Sequence, residues 1–305
     1  MHRQAKATLF TLLTILFWGG AASAFKIGLS HVGPFTLLFY SVAISTLALL
    51  IILALQGKLG SLKNTPTPVL AKALLLGFLN PFLYYVVLFK AYALLPGQIA
   101  MALNYGWPLV LTLMSAPILG QSLSRSQVAA VGISFFGAIT IATKGQFTHF
   151  GDVSHLGLLL AAGSTLIWAS FWLLNARDGV DPVLKLFLGF CSGLGCTLLC
   201  SPLLGGIDWP PAAAWPALLY IGLFEMGITF VLWLTALQLS TTAARIGNLI
   251  YITPFLSLLF LRLVIGEQIH PATFLGLALI IGSIIFQEFQ AKGTDPTNLN
   301  PSPHK

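Results

Sequence analysis

Ten apolar stretches follow one another along the chain, and each is close to the roughly 20 residues that a helix needs to cross a bilayer. They run Ala7–Leu29, Pro34–Leu55, Val69–Leu95, Gly97–Leu119, Ser126–Thr143, Leu156–Asn175, Val183–Leu204, Ala213–Leu239, Thr241–Ile265 and Ala272–Phe289. The turns between them carry breakers: Gly33-Pro34, Pro66 and Pro68, Pro96-Gly97, Asp181-Pro182, Pro210-Pro211 and Pro271. Backbone crossing lipid must satisfy its own hydrogen bonds, so such stretches are helices. Charged residues make up 8% of the 305-residue chain, against about 25% in a soluble domain. That is too few to cover a water-facing surface, which excludes a soluble enzyme, a disordered chain and a nucleic-acid-binding domain.

The net charge of +7 belongs to the loops. With the N-terminus placed in the cytoplasm, eleven Lys and Arg fall on the inner side and three, Lys26, Lys144 and Arg262, on the outer side. Lys90 lies within the third stretch. This asymmetry predicts ten spans with both termini cytoplasmic. The first apolar run lacks a cleavage site and is too long for a signal peptide, so it is expected to remain as the first span. Cys191, Cys196 and Cys200 share one apolar stretch without His or acid nearby and are read as small packing residues.

The two halves repeat each other. Gly77-Phe78-Leu79-Asn80 matches Gly222-Leu223-Phe224-Glu225, and Ala91 matches Ala236 at the same offset. One residue further out of phase, Tyr105 and Pro108 match Tyr251 and Pro254, and Gly120-Gln121 matches Gly266-Glu267. A unit with an odd number of spans must insert its copy upside down, which gives an inverted repeat. The expected fold is therefore an all-α integral membrane protein of ten transmembrane helices, built as two inverted five-helix repeats. Residues 7–143 and 156–289 form the halves, 144–155 connect them, 1–6 are a cytoplasmic N-terminus and 290–305 a disordered cytoplasmic tail.

Several strings in this frame carry a resemblance. They are Leu16-Phe17-Trp18-Gly19, Ala91-Tyr92-Ala93-Leu94, Leu232-Trp233-Leu234-Thr235-Ala236-Leu237, Pro254, Gly266-Glu267, Gly276 and Gly282. Over residues 7–289 the chain resembles the ten-span EamA-like branch of the drug/metabolite transporter superfamily. The resemblance implies a secondary transporter of amino acids or related metabolites, often an exporter. The chain departs at Gln121, where many relatives carry Glu, while Glu267 keeps that residue in the second half. If Glu267 caps a helix or meets a loop cation, only the second half retains the charge.

Polar groups near mid-membrane need partners, because desolvating them unpaired costs several kcal/mol. Asn80 and Glu225 occupy matching positions near the centres of the third and eighth stretches, and Glu225 is the only acid deep inside any span. It can meet a substrate amine or carry a proton; alternatively it bonds a neighbouring helix or pairs with Arg245. The fourth stretch offers Tyr105, Trp107 and Pro108. The ninth offers Arg245, Asn248 and Tyr251 on one face, and Pro254. The two prolines each remove a backbone donor and are expected to break or gate their helices at repeat-related places, or simply to kink them. Trp18, Trp168, Trp172 and Tyr84-Tyr85 lie inside their spans, where they can line a cavity or pack helices.

No set of His and acids has metal-ligand spacing, and no Gly-rich phosphate loop precedes a Lys, so neither a metal, a cofactor nor an ATP motor is expected. Glu225 and Arg245 would suit the amine and carboxylate of a zwitterion. An organic-cation or drug-type efflux transporter using Glu225 is the alternative, and a lipid-modifying membrane enzyme or a scaffold is a remote one. The expected partners are a small-molecule substrate, protons as coupling ion and membrane lipids, with no nucleic acid, in a monomer or homodimer of the bacterial inner membrane.

Overall fold

A computed structural model describes residues 3–119, 125–146, 153–175, 180–240 and 249–293, and no strand occurs among them. Six helical passages are long and apolar enough to cross a membrane: Arg3–His31, Pro34–Leu55, Thr67–Leu94, His155–Trp172, Pro182–Leu203 and Ala212–Leu239. Val128–Ala142, Thr253–Ile265 and Pro271–Phe286 are shorter apolar helices. The architecture is that of an integral membrane helical protein. The expected tail falls mostly outside the described residues, as do Gln121, Arg245 and Asn248.

Two long passages are interrupted at repeat-related positions. In the third, α4 (Thr67–Gly77) passes through a π turn, Phe78–Leu83, into α5 (Tyr84–Leu94). Pro81 has no N–H to donate, and the backbone of Asn80 leaves helical geometry at φ −150°, ψ 119°. In the eighth, α11 (Trp215–Tyr220) passes through a π turn, Ile221–Gly227, into α12 (Ile228–Leu239), here without an internal proline in the turn. Widening a turn strands carbonyls that must be satisfied elsewhere. The Phe224 carbonyl accepts from the Thr229 hydroxyl, and the Glu225 carbonyl accepts from the Trp18 indole N–H at 3.1 Å.

The fourth stretch is also two helices, α6 (Gly97–Asn104) and α7 (Trp107–Leu119). The break lies in the turn Tyr105–Gly106 and not at Pro108, which occupies the first turn of α7. In the ninth stretch, Tyr251 and Ile252 form the corresponding turn and Pro254 lies in the first turn of α13 (Thr253–Phe260). A proline's missing donor costs least in a first turn, where the N–H has no intrahelical acceptor.

Small residues set the helix crossings. α1 (Arg3–His31) presents Gly19 to Leu256 and Gly20 to the Tyr220 ring. α8 (Arg125–Ala142) and α14 (Pro271–Gly293) pair through Gly137 and Gly276. A Cβ on Gly137 would lie 2.7 Å from the Gly276 carbonyl, and the Ser134 and Ser283 hydroxyls bond across the same crossing. Gly282 meets nothing within 4 Å, so close packing explains Gly276 and not Gly282. Cys191 is exposed on α10 (Pro182–Cys200), outside the packed role expected of it, whereas Cys196 and Cys200 are half-buried.

The bundle has two ends. At one, Arg3 donates to the Gln238 carbonyl, and Lys58 pairs with Asp181 at 2.6 Å. Asp181 also caps α10, accepting from the amides of Val183 and Leu184 at 3.0 Å. Partial burial pushes its carboxyl upward, but the Lys58 and backbone hydrogen bonds outweigh this and hold it below its ordinary value. The other end gathers the C-termini of α1 and α5 with the N-termini of α6 and α14. There Lys26 donates to the Tyr92 and Leu95 carbonyls, each at 3.1 Å, while Lys90 stays exposed.

Candidate functional site

Between the halves lies a cavity of about 670 Å³. Nearly half of the residues around it are aromatic, against 12% of the chain. The enrichment follows from helical spacing. Trp18, Ala21, Ala22 and Phe25 share one face of α1, Trp168 and Trp172 one face of α9 (His155–Asn175), and Phe230, Trp233 and Leu237 one face of α12.

The aromatic wall is continuous. Trp168 lies against Tyr84 with ring centres 4.7 Å apart, meets Trp172 edge-on at 5.8 Å and reaches Phe230 at 6.0 Å. Trp18 meets the same Phe230 at 6.0 Å and Trp233 at 5.8 Å. Polar bonds pin this wall: the Tyr84 hydroxyl donates to Asn104 Oδ1 at 3.2 Å, and Asn104 Nδ2 donates to the Ser164 hydroxyl at 2.8 Å.

Glu225 lines the cavity from the π turn of the eighth passage and is 9% exposed. The Tyr85 hydroxyl donates to its Oε1 at 3.0 Å. Its Oε2 is buried without a hydrogen-bond partner among the described residues. Trp172 Nε1, also lining the cavity, is likewise a buried donor without a partner among the described residues. Among the described lining residues Glu225 is the only charged one. The cavity thus offers one unspent carboxyl oxygen and one unspent indole donor, in an apolar wall where each unsatisfied group costs about 1–3 kcal/mol or more.

Of the residues singled out by the sequence, the structure brings Glu225, Trp18, Trp168, Tyr105, Trp107, Pro108 and Tyr251 to this cavity. Pro254 does not line it and is buried in the first turn of α13. Asn80 does not line it. Its π turn packs against α10 and α9, and its amide is 2% exposed with neither end hydrogen-bonded. Arg245 and Asn248 lie outside the described residues, so no partner for a substrate carboxylate is assigned to them here. Sequence reasoning set Tyr85 among the mid-span aromatics but passed over Phe230 and Trp233 as site residues. These two, with Leu237, could have been found from their three- and four-residue spacing along α12, but the Tyr85–Glu225 bond spans residues too far apart in sequence for periodicity to reveal.

The sequence profile of the EamA-like transporter family matches residues 5–143 and again residues 155–287. The chain belongs to the EamA-like transporter family. Its relatives place it in the drug/metabolite transporter superfamily. The aromatic amino acid exporter YddG of Ancylobacter novellus is 29% identical over 283 residues, covering 92% of this chain and 96% of that one. A "Probable terminal-alkyne amino-acid exporter" of Streptantibioticus cattleyicolor is 26% identical over 284 residues, with 93% of each chain covered. A solved structure superposes with a TM-score of 0.67 at 26% identity, over 95% of this chain and 99% of that chain. The EamA-like profile thus identifies a transporter.

Proposed function

We propose that this EamA-like protein exports an amine-bearing metabolite with an aromatic or similarly flat apolar body, an amino acid being the leading class. The observation that carries this reading is the unspent Oε2 of Glu225, buried in an aromatic wall. An ammonium group would restore its missing bond and gain from the surrounding π faces. The unspent indole N–H of Trp172 suits a carboxylate or carbonyl oxygen of the same ligand. Two relatives named as an aromatic amino acid exporter and a "Probable terminal-alkyne amino-acid exporter" agree with this chemistry.

In this reading residues 7–143 and 156–289 are inverted five-span halves that open the cavity to each side in turn. Both termini face the cytoplasm of a bacterial inner membrane, and the protein works as a monomer or homodimer. Protons can serve as coupling ion by occupying the Glu225 carboxylate in place of the amine. The matching turns at Tyr105–Gly106 and Tyr251–Ile252 support the inverted arrangement, and the organic cations of the alternative reading would use the same carboxylate.

The test is flux from proteoliposomes preloaded with labelled phenylalanine or tryptophan, with leucine and phenethylamine as comparators. Aromatic amino acids should leave fastest. Glu225→Gln, which preserves shape and removes the charge, should slow them about ten- to a hundredfold, the loss expected for a hydrogen bond to a charged group. Flux no faster than from empty liposomes would defeat the reading. Phenethylamine moving as fast as phenylalanine would favour the organic-cation alternative.

A further inference from the structure

The cavity differs at its two ends. Toward the end where α1 finishes, its walls close on Phe25 and Tyr92, each 3% exposed, and Leu95 and Ile99 are buried just beyond. Toward the opposite end, the lining residues Leu111, Trp172, Trp233 and Leu237 are half-buried. Across the closed end runs a compact set of bonds between the halves. Glu267 Oε2 accepts from the Gly97 amide and its Oε1 from the Gln98 amide, each at 3.1 Å, which caps α6. Gln98, itself buried, spends its whole side chain the other way. Its Nε2 donates to the Gln268 carbonyl at 2.9 Å, and its Oε1 accepts from the His270 amide at 2.9 Å and the Thr273 hydroxyl at 2.7 Å.

We propose that Glu267 and Gln98 are positioning residues of transport: together they clasp α6 to the entry of α14, shut the cavity at that end, and must part for the ligand to pass on that side. Both partners are strands of chain from different halves, so relative movement of the halves bears on these bonds directly. α6 continues into Asn104 and Tyr105, which line the cavity, so the clasp sits at the far end of a lever that reaches the ligand space. At the opposite end, Arg3 bonds to Gln238 and Lys58 to Asp181 through exposed or half-exposed side chains, beside apolar packing of Ala7 on Ala236 and of Leu53 on Val183 and Leu184. The five buried or half-buried bonds of the clasp hold the state closed at that end. The inference rests on membership of a transporter family and not on the identity of the ligand.

A thiol placed in the cavity tests it without any substrate. Ala22→Cys is introduced into the full chain after Cys191, Cys196 and Cys200 are replaced by Ser. Labelling by a membrane-impermeant methanethiosulfonate is then timed in right-side-out and inside-out vesicles. The parent should label slowly from the clasp side and faster from the other. Glu267→Gln and Gln98→Ala should each raise the clasp-side rate about tenfold or more, with a slower rate from the other side. Thr273→Val, which removes one bond while keeping the volume, should shift the rates in the same direction by less, and serves if the larger changes do not fold. Clasp-side rates that stay unchanged in folded variants would overturn the proposal. So would equal increases from both sides, which mark a loosened bundle.

Discussion

Asp181 shows how a loop carboxylate in this protein does two jobs. One oxygen caps α10 through two backbone amides, and the other pairs with Lys58. The pair is partly exposed, so by itself it is worth about 0–1 kcal/mol. The cap contributes about 1 kcal/mol more, and Asp181→Ala should lower the melting temperature accordingly, with Asp181→Asn milder because Asn caps nearly as well. The pH dependence has a definite sign. Because the folded carboxyl titrates below its ordinary value, its contribution is complete above the ordinary carboxylate range and disappears as pH falls through the lowered value. Melting curves of the parent should therefore fall toward acid more steeply than those of Asp181→Asn. Equal slopes would show that the carboxylate is not held by these partners. Glu225 is the opposite kind of residue. Its place as a lone acid at mid-span was legible in the sequence, but the wide turn that carries it was not, and its bond from Tyr85 depends on how two passages 140 residues apart are packed.

Among the elements, the broken helices carry the most information. Prolines at repeat-related positions mark where continuity is lost, and the sequence places the breaks to within one turn. The structure moves them upstream, to Tyr105–Gly106 and Tyr251–Ile252, and leaves both prolines in the first turns of the following helices. The consequence is testable. Pro108→Ala and Pro254→Ala should restore little, because the added N–H has no intrahelical acceptor in a first turn, and stability should change by no more than about 1 kcal/mol. Thermal unfolding checks this, and a stabilisation of several kcal/mol would mean that the prolines themselves interrupt the helices. The π turns follow a different logic. Pro81 explains the one in the third passage, whereas nothing in local composition announces the one at Ile221–Gly227. It is held from outside, by Gly222 against Ser41 and Ile44 and by the Trp18 indole on the Glu225 carbonyl.

For the whole molecule, the sparse charges sort by place. Those in the turns tie elements together at the two ends, and the one carboxylate in the described cavity wall is left with an unspent oxygen. The Lys and Arg asymmetry makes a further prediction at this scale. A phosphatase that works only outside the cytoplasm, fused after residue 305, should be inactive, while a fluorescent protein that folds only inside should glow. The reverse pattern would exclude both termini being cytoplasmic. Membrane insertion, helical class and family membership were all available without coordinates, because each depends on local composition, on runs of about 20 apolar residues or on short motifs. What only the tertiary structure decided is which side chains meet. Glu225 joins the aromatic wall and Asn80 does not, though the two hold equivalent places in the repeat. Glu267 reaches the amides of a helix some 170 residues away. Periodicity names the face a residue occupies on its own helix, but the partner on that face is set by how helices cross, and in lipid the crossings follow close packing of small residues that a one-dimensional pattern does not pair.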